Sequence, residues 1–246
     1  MDIEFYVIGL IALIALVAGY TQSVTGFGFG IVAMIFLPSL LLYTEANVLS
    51  TALSTVTSLV LLSATYKHVN WKNIVFPLVG STVANYFAIS YVKGAKNDTL
   101  ILLLGIALFA LSIYFFFFSG KIKIKPTWYA GLIAGVISGI SGGLFSIGGP
   151  PVVIYYMQSE KTTEKYLGTI SAYFVASGLI SVGMKAASGF VSENVLFGML
   201  FGLAGMAIGA ILGRLTRNRT NPRLIRKIVY GFMAVSGIIN IVTSII

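Results

Sequence analysis

Apolar residues fall in long runs, at about 3–20, 29–43, 47–65, 74–92 and 99–118. After a basic break at 121–125 come five more, at 128–140, 150–158, 166–184, 195–213 and 228–246. A helix that crosses a bilayer needs roughly 20 apolar residues, so the pattern predicts a chain of membrane-spanning helices. The first two runs of each set are short, and only glycine-rich stretches without charge, 21–30 and 141–149, separate them.

Basic residues test this parsing, because they accumulate on the cytoplasmic side. If each short pair of runs makes two crossings or one re-entrant hairpin, one side receives Lys67, Lys72, Lys121, Lys123, Lys125, Lys161, Lys165, Arg214, Arg217, Arg219, Arg223, Arg226 and Lys227. The other side receives Lys93, Lys96 and Lys185, a division of 13 against 3. If each short pair is instead one broken helix, the division is 10 against 6. The first parsing puts both termini outside and the basic loops in the cytoplasm.

Composition agrees. The chain has 246 residues, 57% hydrophobic and 9% charged, with a mean hydropathy of +0.95; soluble domains carry about 25% charged residues. Asp2 and Glu4 stand at the start of the first run, where a signal peptide would have a basic start. The net charge of +9 is mainly a topology signal with some attraction to anionic lipid, so nucleic acid is not an expected partner. The absence of cysteine excludes thiolate sites. The single histidine, His68, sits beside Lys67 and Lys72 as an interfacial residue.

The two halves resemble each other. Residues 18–30, AGYTQSVTGFGFG, lie over 134–146, AGVISGISGGLFS, at an offset of 116, and TEANVLST at 44–51 lies over TEKYLGTI at 163–170 at an offset of 119. An odd number of crossings per half turns the second half upside down, a recurrent plan in secondary transporters. The expected fold is an all-α polytopic membrane protein of two inverted repeats, each of about five helical segments. A glycine-rich break lies between the first two segments of each repeat. The expected division is a first repeat at 1–120, a basic cytoplasmic linker at 121–127 and a second repeat at 128–246.

Unpaired backbone amides survive in a membrane only where protein or a water-filled cavity surrounds them. The first break offers Thr21, Gln22, Ser23 and Thr25 with Gly26, Gly28 and Gly30. The second offers Ser138, Ser141 and Ser146 with Gly142, Gly143, Gly148 and Gly149. Pro150 and Pro151 suit the first turn of a restarting helix, where a missing N–H costs nothing. A helix N-terminus with free amides favours negative charge, and two facing each other form an anion site without lysine or arginine. Ser54, Ser171 and Asn85, within neighbouring runs, are candidates to line the same site. Gly202, Gly205 and Gly209, spaced for one helix face, are expected to serve helix packing.

All seven acidic residues lie in loops or at the ends of runs. Carboxylates within the membrane mark cation and proton pathways, so their absence argues against a cation carrier and leaves no acid–base pair for an enzyme. No metal or cofactor is called for, and no oligomeric state is specified.

At the two breaks, GYTQSVTGFGFGIV (19–32) and GVISGISGGLFSIGGPPVV (135–153), the sequence resembles the sulfite exporter TauE/SafE family, also called the 4-toluene sulfonate uptake permease family. Its members are duplicated bacterial and archaeal membrane proteins of about this size. The motif positions are Gly26, Gly28 and Gly30 in the first half and Gly142, Gly148, Gly149 and Pro150 in the second. The family often has glycine where this chain has Ser146. The resemblance implies transport of sulfite or a small sulfur anion such as a sulfonate or thiosulfate through the cytoplasmic membrane. An anion leaving a negative-inside cell gains about 2.3 kcal/mol per charge per 100 mV, so export needs no coupling ion. A small-anion channel and a non-transporting partner subunit of a sulfur enzyme remain as alternative readings of the same residues.

Overall fold

The computed structural model describes residues 5–118, 124–216 and 219–245. Asp2, Glu4, Arg217 and the linker residues Lys121 and Lys123 lie outside the described residues. The described chain holds ten α-helices. The first five are α1 (Phe5–Thr25), α2 (Phe29–Phe36), α3 (Tyr43–Thr65), α4 (Trp71–Gly94) and α5 (Asn97–Phe117). The second five are α6 (Trp128–Phe145), α7 (Gly149–Ser159), α8 (Thr163–Ala187), α9 (Glu193–Thr216) and α10 (Pro222–Ile245). Eight of them are long and apolar enough to cross a membrane. At 1.5 Å per residue, α2 with 8 residues and α7 with 11 fall well short of a bilayer's hydrocarbon thickness.

The burial pattern is that of a membrane protein. Large apolar side chains face outward, with Phe87 67% and Leu215 72% exposed, while Asn47, Ser50 and Thr169 are fully buried. With lipid outside, apolar burial does little to hold helices together, and close packing at small residues does more. Gly205 and Gly209 of α9 lie against the carbonyls of Ala12 and Leu16 of α1, so closely that any Cβ would collide. In α6, Gly135 and Gly139 meet Pro77 and Ser81 of α4 in the same way. Gly202 faces the side chain of Leu53.

These contacts set the architecture. Helices α1 and α9 run parallel, as do α6 and α4; in both pairs the first helix of one half packs on the fourth of the other. Helices α3 and α8 run antiparallel, with Gly178 at Thr55 and Gly168 at Thr65. Helices α5 and α10 do likewise, with Gly105 at Asn240 and Gly237 at Phe109. Every major pairing thus joins one half to the other.

One end of the bundle gathers three connections. Asn70, before α4, donates to Glu160, after α7, at 3.2 Å, and Arg226 of α10 donates to the Thr25 carbonyl at 3.2 Å. Lys67, Lys72, Lys161 and Lys165 belong to this end. At the opposite end, Glu45 of α3 accepts from Ser192, before α9, at 2.6 Å, and the Tyr43 amide donates to Asn97 at 3.1 Å.

Candidate anion-binding cavity

The first break follows from two backbone conformations. Gly26 (φ 85°) and Gly28 (φ 107°) adopt the left-handed region, which glycine enters without steric cost, and the chain restarts as α2 at Phe29. The Thr25 hydroxyl is shared between the carbonyls of Thr21 and Phe27, at 2.8 and 2.6 Å. Arg226 caps the end of α1 through the Thr25 carbonyl and lies 5.5 Å from the centre of the Phe27 ring.

The second break is built on a serine. Ser146 has φ 57°, the one non-glycine with positive φ among the described residues, a conformation that costs about 1–2 kcal/mol for an L-residue. Its amide returns to the Gly142 carbonyl at 3.0 Å, and that of Ile147 to Ser141 at 3.2 Å, closing α6. The Ser146 hydroxyl reaches the Asn47 carbonyl at 2.8 Å and Thr51 at 2.6 Å, bonds that glycine would lack. The last carbonyls of α6 are capped by α3: Asn47 donates to Gly143 at 3.3 Å and to Leu144 at 2.7 Å, and the Tyr43 hydroxyl to Leu144 at 2.6 Å.

The breaks meet. A Cβ on Gly30 would collide with the carbonyl oxygen of Ser146. Beside this contact lies a cavity of about 100 Å³, many times the space one water needs. Gln22, Gly28, Gly30 and Ser54 line it from the first half, with Asn85 of α4. Ser138, Gly142, Gly148, Gly149 and Pro150 line it from the second. Seven residues that the sequence offered lie outside the lining: Thr21, Ser23, Thr25 and Gly26 in the first break, Ser141 and Gly143 in the second, and Ser171. The hydroxyls of Ser141 and Ser171 bond back to Ile137 and Leu167, both within their own helices, at 2.7 and 2.6 Å.

Neighbouring side chains hold the polar lining. Gln22 donates to Ser58 at 2.9 Å and accepts from Ser54 at 3.4 Å. Ser138 donates to the Gly148 carbonyl at 2.5 Å and lies 2.9 Å from the Tyr173 hydroxyl. The rings of Phe27 and Phe174 flank Gly149. Sequence reasoning passed over Ser81, Thr82, Tyr173 and Ser181, which also line the cavity. Ser177 lines it too, and the four-residue spacing of Tyr173, Ser177 and Ser181 was the available signal for a helix face.

One expectation is corrected. Lys185 is not a loop residue outside the bilayer, because α8 continues past it to Ala187 and its side chain is 0% exposed. Its ammonium donates to Thr51 at 2.5 Å, Ser146 at 3.2 Å and the Gly142 carbonyl at 3.3 Å. A basic side chain therefore stands at the second break, where the sequence offered only neutral groups.

Eight membrane-length helices define a multi-pass membrane protein, and five of them, with the short α2 and α7, line its polar cavity. The sequence profile of the family described as sulfite exporter TauE/SafE matches residues 11–239, and the chain belongs to this family of membrane transporters. It is also similar to a probable sulfite/organosulfonate exporter TauE of Cupriavidus necator, at 26% identity over 239 residues, covering 92% of this chain and 90% of that protein. No solved structure matches the chain significantly.

Proposed function

We propose that this chain is a secondary transporter that moves sulfite or a related small sulfur anion, a sulfonate or thiosulfate, outward across the cytoplasmic membrane. One observation carries the reading: two helix restarts more than 100 residues apart in the chain, at Gly28–Gly30 and Gly148–Pro150, open into one cavity. The free first-turn amides of α2, the Gly149 amide at the start of α7, where Pro150 and Pro151 have no N–H, and the dipoles of both helices favour an anion there. Hydroxyls and amides replace its hydration shell, and the rings of Phe27 and Phe174 suit the organic part of a sulfonate. The lining holds no carboxylate, so no cation is favoured and no acid–base chemistry is provided.

In this reading the halves 1–120 and 128–246 are inverted repeats joined by a basic linker at 121–127. The reciprocal pairings α1–α9 with α6–α4, α3–α8 and α5–α10 support that relation. The basic end faces the cytoplasm and both termini lie outside. Rocking of one half against the other exposes the cavity alternately to each side, and the membrane potential drives the anion out.

The test is radiolabelled sulfite flux in proteoliposomes under an imposed potential, with thiosulfate, sulfate and a sulfonate as competitors. Saturable, potential-driven flux blocked by a sulfur anion is expected. No flux at any potential would remove the sulfite reading. Flux that never saturates would replace the carrier with a channel.

A further inference from the structure

Lys185 is the one lysine among the described residues whose side chain is wholly buried. All three of its hydrogen-bond partners are neutral oxygens. A buried charge without an opposite charge costs several kcal/mol even when hydrogen-bonded, and ionisable groups in a membrane interior mark function more often than structure. Capping α6 does not require it, since Asn47 and Tyr43 serve the adjacent Gly143 and Leu144 carbonyls without charge.

Its surroundings connect it to the cavity. Ser177, Ser181 and Lys185 are spaced four apart along α8 and share one face. Ser177 and Ser181 line the cavity, as do Thr51, Ser146 and Gly142, the residues that hold the ammonium. A single layer of hydroxyls and backbone therefore separates Lys185 from the cavity. The Ser181 hydroxyl, in a residue 5% exposed, has no hydrogen-bond partner. Buried polar atoms without partners are uncommon and point to a ligand or water.

We propose that Lys185 is the positive charge of a second anion subsite on the outer side of the cavity, closed in this conformation, which receives the anion along the Ser177–Ser181 face of α8 before release. The proposal rests on the transport reading above and deepens it. The anion displaces the Gly142 carbonyl as partner of the ammonium, which frees the last turn of α6 from α8. The absence of a paired carboxylate then has a reason: a carboxylate would neutralise the lysine and leave nothing for the substrate.

The experiment compares two competitors of radiolabelled sulfite flux in proteoliposomes, methanesulfonate and its neutral near-isostere dimethyl sulfone. On the unaltered protein, methanesulfonate should compete far better. In K185M, flux should fall about tenfold or more and that advantage should shrink by a similar factor, the scale of losing one close charge partner; K185R should keep it. A merely structural lysine would affect both competitors alike. Monodisperse K185M with unaltered flux and advantage would overturn the subsite, as would equal competition by the two compounds on the unaltered protein. Should K185M fail to fold, S181A, which has no hydrogen bond to lose, reads the same path: a flux several-fold lower supports the proposal, and unaltered flux overturns it. If the unaltered protein carries no sulfite, the transport reading itself fails and the subsite falls with it.

Discussion

The carbonyl oxygen of Ser146 occupies the position that a side chain on Gly30 would need. This contact ties the end of α6 to the start of α2 and closes one wall of the cavity. Neither backbone can withdraw without moving a helix end.

Gly30→Ala should therefore be costly although it adds a single methyl. Overpacking of this kind costs about 1–3 kcal/mol, and here both partners are backbone. A lower melting temperature in detergent and loss of sulfite flux are expected. Gly9→Ala, with open space around its Cβ position, should behave as the unaltered protein in the same two assays.

Gly149→Ala separates the site from the fold. Its Cβ position has ordinary contacts, 3.6 Å to Phe174 and 3.7 Å to Phe27, so stability should be kept. The added methyl enters the cavity, and transport of a bulky sulfonate should fall more than that of sulfite. Competition assays with a graded series of alkanesulfonates check this.

Asn47→Ala removes the cap on Gly143 and one partner of Ser146. A buried acceptor left unsatisfied costs about 1–3 kcal/mol, visible as a reduced melting temperature. Tyr43→Phe should cost less, because Leu144 keeps its bond from Asn47.

Gln22→Leu replaces a cavity amide by an apolar group of similar length. Ser58 keeps its bond to the Ser54 carbonyl at 2.9 Å, so folding should survive. Loss of one hydrogen bond to the anion, about 1.5–3 kcal/mol when one partner is charged, should raise the half-saturating sulfite concentration about tenfold or more. An unaltered saturation curve would remove Gln22 from the binding surface.

The helices and their interruptions were legible because hydropathy and glycine clustering are local properties. The runs at 74–92 and 195–213 lie within α4 and α9, and the breaks at 21–30 and 141–149 contain the observed helix ends. The packing role of Gly205 and Gly209 followed from their spacing. Lys185 was not legible, because a lysine at the end of an apolar run ordinarily extends its ammonium to the interface. Only the turn that α8 adds beyond Ser181, and the cover supplied by Thr51 and Ser146, keep it inside. Ser141 and Ser171 differ from Ser138 through which face of a helix meets the cavity, and packing between the halves decides that.

The reciprocal pairing of the halves has a consequence for how the protein is made. Helix α1 emerges first, yet the surface shaped to receive it, the Gly205–Gly209 face of α9, is synthesised almost last. Helices α3 and α4 likewise enter the bilayer before α8 and α6 exist to cover Thr51, Thr55 and Asn85. The polar faces of the first half are therefore covered, and the cavity completed, only once the second half has been made and packs against it.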